Sequence, residues 1–328
     1  MSERLPSLSV LMPNYNHGQY IGEALQTLLQ QSIKPTEIIV IDDCSTDHSV
    51  EVVEAVARRD ASVRLIRNPR NIGPHAAIDR GLAEAAGDYV YVMSSDDTVL
   101  PGFVEESLTV LAQHPVAGLC WSDNMTLDVR TNVYNRNRLR MCERPCYLST
   151  KALVEAYRRG YIPCLSAHSS VMKRSALLEV GGMLPELHWH ADGFVTLVIA
   201  LRYGACYIPS TLICARILGE SYMASGVRQR RLREETHRRM LQFLKLPRYR
   251  DILPDVKTSG AYGFYGLPML RLILADRSHW DYLTPSLVWR AFWFSGKRTL
   301  SAVAPLAARL AYHRSRDWYR QVIRPRFR

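Results

Sequence analysis

The sequence predicts an α/β protein whose mostly parallel sheet is flanked by helices. Five short runs rich in apolar and β-branched residues are typical of strands, and amphipathic stretches separate them. Parallel strands need a long crossover to return the chain to the same edge, and these stretches have the length and periodicity of helices. Polar residues follow several of the strands, which is where ligands bind in such sheets.

The predicted elements follow one another in a regular order. The strands are expected over residues 8–12, 37–41, 63–66, 89–93 and 117–121. Four helices are expected between or after these strands. The first covers residues 20–29, and the second follows an N-cap at Ser45 or Thr46. The third runs from 74 to about 86 with Gly87 as the closing residue, and the fourth begins at Pro101.

Length and composition are those of a folded, globular chain. The 328 residues are 47% hydrophobic and 22% charged, which is enough to bury a core and too apolar for wholesale disorder. The chain has no run of about 18 apolar residues to span a membrane and no apolar signal region at its start. We therefore expect a cytoplasmic protein whose seven cysteines are reduced and mostly buried.

The charge divides the chain into two predicted parts. The formal net charge is +11, yet residues 1–219 are slightly acidic and residues 220–328 strongly basic. We expect an α/β domain over 1–219 and a mainly helical, basic extension over 220–328. The extension includes an aromatic segment, 283–295, and an amphipathic segment, 299–312, both with arginines.

The basic extension has more than one interpretation. Basic amphipathic helices with tryptophan and phenylalanine suit an anionic membrane surface. The same pattern suits packing on the α/β domain or a homo-oligomer contact, with arginines on the solvated face. Nucleic acid is the less favoured partner, because no nucleic-acid-binding motif accompanies the charge.

The residues that follow the strands predict a ligand site. They include Asn14, Asp42, Asp43, Asn68, Asp96 and Asp97. Each residue type is common in turns, but their coincidence at successive strand ends favours a site. Asp96 and Asp97 offer hard oxygen ligands for Mg²⁺ or Mn²⁺. The chain lacks the glycine motifs of dinucleotide-binding dehydrogenases and P-loop NTPases, which argues against both classes.

Four motifs in this half of the chain resemble those of family 2 glycosyltransferases. They are SVLMPNYN at 9–16, IVIDDCSTD at 39–47, NIG at 71–73 and SSDD at 94–97. The resemblance implies a GT-A fold and an inverting, metal-dependent enzyme. Such an enzyme transfers a sugar from a nucleotide-diphospho-sugar, here expected to be a UDP-sugar, to a glycan or lipid-linked acceptor in polysaccharide or glycolipid assembly.

The resemblance also implies roles for individual residues. Pro13 and Tyr15 would line the base pocket, and Asp43 would read the base edge with Asp42 beside it. Asp97 would bind the metal, Mn²⁺ or Mg²⁺, and Asp96 would lie near both the ribose and the metal. The remaining residues expected at the nucleotide-sugar are Asn14, Asn71 and Gly73.

Three positions depart from the family pattern. Cys44 stands where a glycine is usual, so we expect the turn there to avoid the left-handed backbone that glycine permits. Ser94 replaces the first aspartate of the common metal-binding motif, which leaves fewer carboxylates near the metal. Ile78 stands where many relatives have arginine, so one donor contact is absent or supplied elsewhere.

The resemblance places the catalytic base in the second half of the chain. Asp192, in HWHADGF at 188–194 after GGM at 181–183, matches the acidic residue that deprotonates the acceptor. The alternative is that Asp192 only caps a helix from Phe194. Trp189 offers a flat surface for a sugar, and His188 and His190 are candidates for contacts with the metal or diphosphate.

His168 is the remaining candidate on the acceptor side, with a plain structural role as its alternative. Two other functions stay open for the whole chain. One is a catalytically weak sugar-nucleotide-binding protein, which Ser94 and Ile78 favour. The other is a scaffold on the inner face of the cell membrane that acts through the basic extension. The intact carboxylates favour the enzyme.

Overall fold

The computed structural model describes residues 5–161, 166–218 and 229–303, with side chains described as far as residue 296. Contacts divide the chain into two compact units, Met1–Ser259 and Gly260–Arg328. The boundary expected between residues 219 and 220 falls at the start of a segment outside the described residues. The division by contacts lies further along the chain, so that the first helix after that segment belongs to the first unit.

The first unit is built on a sheet that holds ten strands among the described residues. The strands are β1 Leu8–Asn14, β2 Glu37–Asp42, β3 Val63–Arg67, β4 Tyr89–Val92, β5 Thr98–Val99, β6 Leu119–Asp128, β7 Val133–Asn137, β8 Cys146–Leu148, β9 Ser170–Lys173 and β10 Ala205–Ile217. Their order is β3-β2-β1-β4-β9-β6-β10-β5, with β7 paired to β6 and β8 to β10. All five predicted strands are confirmed.

Strands β3, β2, β1 and β4 are parallel, so their carboxyl ends meet at one edge. Strand β9 enters antiparallel between β4 and β6, and β10 then runs parallel to β6. The predicted α/β fold with a mostly parallel central sheet is therefore confirmed, while the short antiparallel strands are additions that the sequence did not reveal.

Helices cover the sheet. They are α1 Gly18–Leu29, α2 Ser49–Ala57, α3 Pro74–Glu84, α4 Phe103–Gln113, α5 Thr150–Arg158, α6 Arg174–Val180, α7 Ala191–Tyr203, α8 Arg230–Phe243 and α9 Leu253–Ser259. Short 3₁₀ helices lie at Ala167–Ser169, Pro185–His190 and Pro247–Tyr249. Ile21, Leu25 and Leu28 of α1 are fully buried against the strands, as their spacing predicts.

The predicted helix ends are less accurate than the helices themselves. Helix α2 begins at Ser49 with His48 before it, so neither Ser45 nor Thr46 is its N-cap. Helix α3 ends at Glu84, so Gly87 does not close it. Gly87 instead lies against β1, where a Cβ atom would come within 2.6 Å of the Ser9 backbone nitrogen. The glycine is needed for this close approach.

The second unit is helical where it is described. It contains α10 Leu267–Ala275 and α11 Pro285–Val303, with 3₁₀ helices at Ala261–Tyr265 and Arg277–Tyr282. Trp289, Phe292 and Trp293 on α11 are exposed, and the two indole rings stack with centroids 5.6 Å apart. The amphipathic segment predicted at 299–312 lies mostly outside the described residues. No described helix is both long and apolar enough to cross a bilayer.

The cysteines only partly follow the sequence-based expectation. Cys120, Cys206 and Cys214 are buried free thiols, as predicted. Cys142 and Cys146 are joined in a disulfide, so the expectation of reduced thiols is wrong for this pair. Their spacing of four residues brings them close enough for the bond.

Cys44 adopts the backbone conformation that the sequence led us to exclude. Its φ is 65°, in the left-handed region, so the expectation that the turn avoids this conformation is wrong. The turn keeps the geometry typical of glycine because flanking hydrogen bonds fix it, among them Ser45 N–H to the Asp42 carboxylate at 3.0 Å. A non-glycine residue there stores strain.

Cys44→Gly is therefore expected to raise the free energy of unfolding by about 1 kcal/mol, since a left-handed residue with a Cβ atom costs about that much. Cys44→Val should lower it, because β-branched residues tolerate positive φ least. Urea denaturation of both variants measures the difference. A glycine variant less stable than the original would show that the thiol contact with the Pro69 carbonyl, at 3.8 Å, outweighs the strain.

Candidate active site

The carboxyl ends of β1 and β2 are tied together by buried polar side chains. The Asn14 side-chain amide donates to Asp42 Oδ1 at 2.9 Å and to Ser45 Oγ at 3.1 Å. Asp42 is buried and its second oxygen accepts from the Ser45 N–H. Asn14 and Asp42 thus lie at the predicted edge, where they hold the turn that carries Asp43.

Asp43 organises the loop before α3. Its Oδ1 accepts from the Asn68 amide at 2.8 Å and from the Ile72 N–H at 2.9 Å, and its Oδ2 accepts from the Gly73 N–H at 2.8 Å. Asn71 also accepts from the Gly73 N–H through its own Oδ1, at 3.0 Å. The Asp43 residue is 3% exposed. It therefore holds the 71–73 loop, and a contact with a nucleotide base stays a prediction.

Asp43→Ala is expected to weaken UDP binding by about 1–3 kcal/mol, the cost of leaving buried partners without an acceptor. A matched pair of ligands separates base recognition from loop support. If Asp43 reads the base, the original protein prefers UDP to N3-methyl-UDP and the variant loses that preference. Calorimetry showing no preference in the original protein would leave Asp43 with loop support alone.

Tyr15 lies on the open side of this edge. The residue after it, Asn16, has a φ of 56° and accepts through Oδ1 from the Thr46 N–H at 2.8 Å. This bond fixes the turn after β1, and the side chain of Tyr15 is 46% exposed. Pro13 lies just before it, half-buried. An exposed aromatic ring on a fixed turn is suited to stack on a nucleotide base.

Asp96 and Asp97 lie in a tight turn after β4. The Asp97 N–H donates to the Ser94 carbonyl at 3.1 Å, and Asp97 is only 6% exposed. Burial, together with the neighbouring Asp96 charge, raises the pKa of Asp97 to about 8. Burial also raises the pKa of Asp96, against the opposing charges of His17 and Arg216. A buried carboxylate with a second, partly buried one next to it is costly to ionise without a cation.

Arg216, near the end of β10, locks this turn. Its N–H donates to Asp97 Oδ1 at 2.8 Å, and its guanidinium donates to the Asp96 carbonyl at 2.7 Å. The same guanidinium pairs with Glu23 at 2.5 Å and lies over the Tyr20 ring. Arg216 could not be predicted from the sequence, because a single arginine at the end of a strand carries no motif.

The turn fits a divalent cation. No three histidine, cysteine, aspartate or glutamate side chains converge into a complete metal site within the described parts of the chain. Mg²⁺ and similar ions need fewer protein ligands, since one or two carboxylates, with substrate phosphates and water, commonly complete their coordination. Burial opposes the ionisation of Asp96 and Asp97, and a cation bound there would neutralise their negative charges.

Asp192 lies in the first turn of α7, not at its cap. The helix begins at Ala191 with His190 as its N-cap, so a cap for a helix from Phe194 is ruled out. Asp192 Oδ1 accepts from the Gly193 N–H at 2.7 Å, and the Ala167 N–H also bonds to the carboxylate. Burial raises the pKa of Asp192 to about 6. A carboxylate of this pKa is suited to general-base work near neutral pH.

A 3₁₀ turn, Ala167–Ser169, links Asp192 to the end of β4. Tyr91 of β4 donates to the His168 carbonyl at 2.9 Å, and the Asp97 charge adds to the effect of burial in raising the pKa of Tyr91. Asp192 is thus linked to β4 through this turn, since Ala167 bonds to Asp192 and His168 accepts from Tyr91, the residue on which the Asp97 charge acts. Burial lowers the pKa of His168 to about 4, so its ring is neutral, and Nδ1 lies 3.0 Å from Ser166 Oγ.

Trp189 is less exposed to solvent than the sequence suggested. It is 8% exposed, and the rings of His188 and His190 lie 6.0 and 5.5 Å from it. The His190 ring also lies 5.1 Å from His237 of α8. This aromatic group supports the segment before Asp192, and little of the indole is left to contact a sugar.

Comparisons with known sequences return matches to glycosyltransferases. A sequence model described as Glycosyl transferase family 2 matches residues 9–181. An uncharacterized glycosyltransferase of Haemophilus influenzae is 37% identical over 110 residues, covering 34% of this chain and 44% of the relative. The putative teichuronic acid biosynthesis glycosyltransferase TuaG of Bacillus subtilis is 30% identical over 117 residues, covering 36% and 46%. These matches span less than half of each relative.

Solved structures show the same fold. S. aureus TarS 1-349 in complex with UDP-GlcNAc is 17% identical with a TM-score of 0.62, covering 87% of this chain and 89% of that one. The mannosyltransferase PcManGT from Pyrobaculum calidifontis, in complex with GDP-Man and Mn²⁺, is 18% identical with a TM-score of 0.56, covering 97% and 81%. At these identities the similarity concerns the fold alone, and it confirms the GT-A architecture.

Proposed function

The chain belongs to glycosyl transferase family 2, and from that premise we propose that it is an inverting, metal-dependent glycosyltransferase. It moves a sugar from a nucleotide-diphospho-sugar, a UDP-sugar, to a hydroxyl of a glycan or lipid-linked acceptor in polysaccharide or glycolipid assembly. One observation carries the proposal. Burial raises the pKa of three carboxyl groups, Asp96, Asp97 and Asp192, and the 3₁₀ turn Ala167–Ser169 links Asp192 to Tyr91, on which the Asp97 charge acts.

Donor binding uses the ends of β1 and β2 and the loop before α3. The exposed Tyr15 ring stacks on the base beside Pro13, and Asp43 stands at the base edge while it holds the Gly73 loop in place. Asn14, Asp42 and Asn71 keep these turns in position through the hydrogen bonds described above. The site is preformed, so little ordering is needed when the donor binds.

Asp96 and Asp97 are the residues that would hold a divalent cation. A bound cation would supply positive charge to the diphosphate leaving group. The backbone N–H of Arg216 orients the Asp97 carboxylate, and the Arg216 guanidinium fixes the turn through the Asp96 carbonyl. Glu23 and Tyr20 keep that guanidinium in place.

Asp192 removes the proton from the acceptor hydroxyl. As the hydroxyl oxygen attacks the anomeric carbon from the face opposite the diphosphate, the O–H bond breaks and its proton passes to Asp192. The new glycosidic bond forms as the bond to the diphosphate breaks, which inverts the configuration. The neutral His168 lies on this acceptor side, bonded to Ser166.

The exposed aromatic residues of α11 favour one addition to this function. Trp289, Phe292 and Trp293 lie on a chain segment rich in arginine and lysine, a combination suited to the interface of an anionic bilayer. We therefore include attachment of a cytoplasmic enzyme to the inner face of the cell membrane. Co-sedimentation with vesicles that contain anionic lipid tests it.

Donor hydrolysis tests the proposed function without knowledge of the acceptor. The purified chain is incubated with UDP-, GDP- and dTDP-sugars, each with Mn²⁺ or with EDTA. Slow, metal-dependent release of a nucleoside diphosphate is expected for a UDP-sugar, together with a rise in melting temperature on binding. Binding without release in any condition would favour a sugar-nucleotide-binding protein instead.

A further inference from the structure

The hairpin formed by β6 and β7, with the loop that follows, carries an unusual concentration of positive charge. We call residues 123–144 the arginine hairpin. Four of its arginines, Arg136, Arg138, Arg140 and Arg144, are exposed within nine residues. None of the four forms an ion pair with a carboxylate of the described residues, whereas Arg130 at the turn pairs with Asp128 at 3.7 Å.

This charge is displayed on an ordered support. The buried Asp123 at the base of the hairpin accepts from the Leu139 N–H at 3.0 Å and from the Tyr207 hydroxyl at 2.8 Å. The same hydroxyl accepts from the Arg140 N–H at 3.1 Å. Burial raises the pKa of Asp123, and the positive charges of Arg138 and Arg140 oppose that effect. The arginines are thus held by a fixed base but keep their guanidinium groups outside it.

The strand register places the arginine hairpin beside the candidate metal turn. Arg216, which holds Asp97, is paired with Leu127 of β6, and Leu127 is paired with Tyr134 of β7. Directly paired residues share a face, so Tyr134 lies on the Arg216 face, about 10 Å away at the usual strand spacing. Tyr134 is 57% exposed, and Arg136 lies two residues further along the same face.

The nucleotide of the donor does not account for these arginines. Its predicted pocket lies at β1 and β2, and β4 and β9 separate β1 from β6 in the sheet. A ligand that uses the arginine hairpin is therefore a molecule other than the nucleotide, and the acceptor is the other substrate that the proposed reaction requires. Arg138 follows the end of β7 directly, and at the spacing of an extended chain it lies about 7 Å from Arg136. The two arginines can therefore contact successive charges of one chain, and Tyr134 adds a ring for a sugar face.

We propose that the arginine hairpin is the docking surface for an anionic glycan acceptor, with Tyr134, Arg136 and Arg138 as its main contacts. The proposal rests on the proposed transferase function and adds to it the charge of the acceptor. The ligand is a chain with repeated phosphate or carboxylate groups. Guanidinium groups bind both kinds of anion through paired N–H donors.

Binding of defined polymers tests the proposal. The probes are poly(glycerol phosphate), a hyaluronan oligosaccharide as a polymer of uronate, and neutral dextran of similar length. The full chain should bind one of the two anionic polymers in a salt-dependent manner and dextran far more weakly. The polymer that binds identifies the anion as phosphate or carboxylate.

A charge-matched pair of variants locates the surface. The double variant Arg136→Ala, Arg138→Ala should bind the anionic polymer at least about tenfold more weakly, because charge-assisted hydrogen bonds are lost. The control is Arg158→Ala, Arg159→Ala on α5, which removes the same charge from residues already paired with Glu155. The control should bind as the original chain does. UDP affinity and UDP-sugar hydrolysis should be unchanged in both variants.

Three results would overturn the proposal: equal losses of affinity in both double variants, dextran binding as tight as that of the anionic polymers, or binding of neither anionic polymer. Loss of binding to anionic vesicles in the hairpin variant, with no polymer binding, would point to a membrane instead. Hydrolysis of the donor is measured without any acceptor. An inactive protein that still binds polymer through the hairpin would therefore contradict the transferase and leave the docking surface standing.

Discussion

Asp97→Asn is expected to lower turnover by about 10³-fold or more, because a neutral amide is a poor ligand for a hard cation and the cation contributes several kcal/mol to the transition state. The fold should be preserved, since the amide oxygen can still accept from the Arg216 N–H that now meets Asp97 Oδ1 at 2.8 Å. Initial rates with Mn²⁺ and melting temperatures with and without Mn²⁺ measure the two effects separately.

Without metal, the stability of the original chain should depend on pH more strongly than that of the Asp97→Asn variant. Burial raises the pKa of Asp97 from its usual 3.8 to about 8. The carboxyl group therefore stabilises the fold fully only below its unfolded pKa, and this contribution is lost as the pH rises towards 8. Asn does not titrate, so in EDTA the variant should lose less stability than the original chain between about pH 5 and about pH 8.

Two further variants serve as controls for the metal turn. Asp96→Asn should impair turnover severely but less completely, since Asp97 remains. Ser94→Asp restores the aspartate that is common in the family and should tighten Mn²⁺ binding, measured by calorimetry. Full activity of Asp97→Asn, or of the original chain in EDTA, would remove the metal from the mechanism.

The strands of the first half could be predicted because local pattern and tertiary structure agree there. Each of the five has an apolar run, which is mostly buried except in the edge strand β3, and each is separated from the next by a helix whose period is visible in the sequence. Strand β7 has no such pattern, since every one of its residues is exposed. Its position, like the antiparallel insertion of β9, depends on pairing with distant strands that no local window contains.

The residues of the candidate site could also be predicted only in part. Asp42, Asp43, Asp96 and Asp97 could be found because they occur in compact motifs directly after strands. Arg216 could not, because its partners are 119 or more residues away in the chain and it looks like any basic residue at a strand end. The conformation of Cys44 was mispredicted from the preference of the isolated residue, which the hydrogen bonds around Asp42 and Ser45 override.

Asp192→Asn is expected to lower turnover by about 10²-fold or more, the usual contribution of a general base. In the original chain, kcat/KM should fall with decreasing pH below about 6, where Asp192, whose pKa burial raises to about 6, becomes protonated. The variant should lack this acid limb. Above the pKa of Asp192, the buried negative charge destabilises the original chain, and the Asn variant lacks this charge. At about pH 8, the melting temperature of the variant should therefore be no lower than that of the original chain.

The turnover of Asp192→Asn distinguishes a catalytic base from a purely structural residue. If Asp192 only accepts the Gly193 and Ala167 N–H groups, Asn keeps an acceptor oxygen and should be nearly silent in the rate. Ala should then lose about 1–3 kcal/mol of stability, because those N–H groups are left without an acceptor. Glu186→Gln is the matched control, since it removes an exposed carboxylate from the same segment and should be fully active. An active Asp192→Asn together with an inactive Glu186→Gln would transfer the role of base to Glu186.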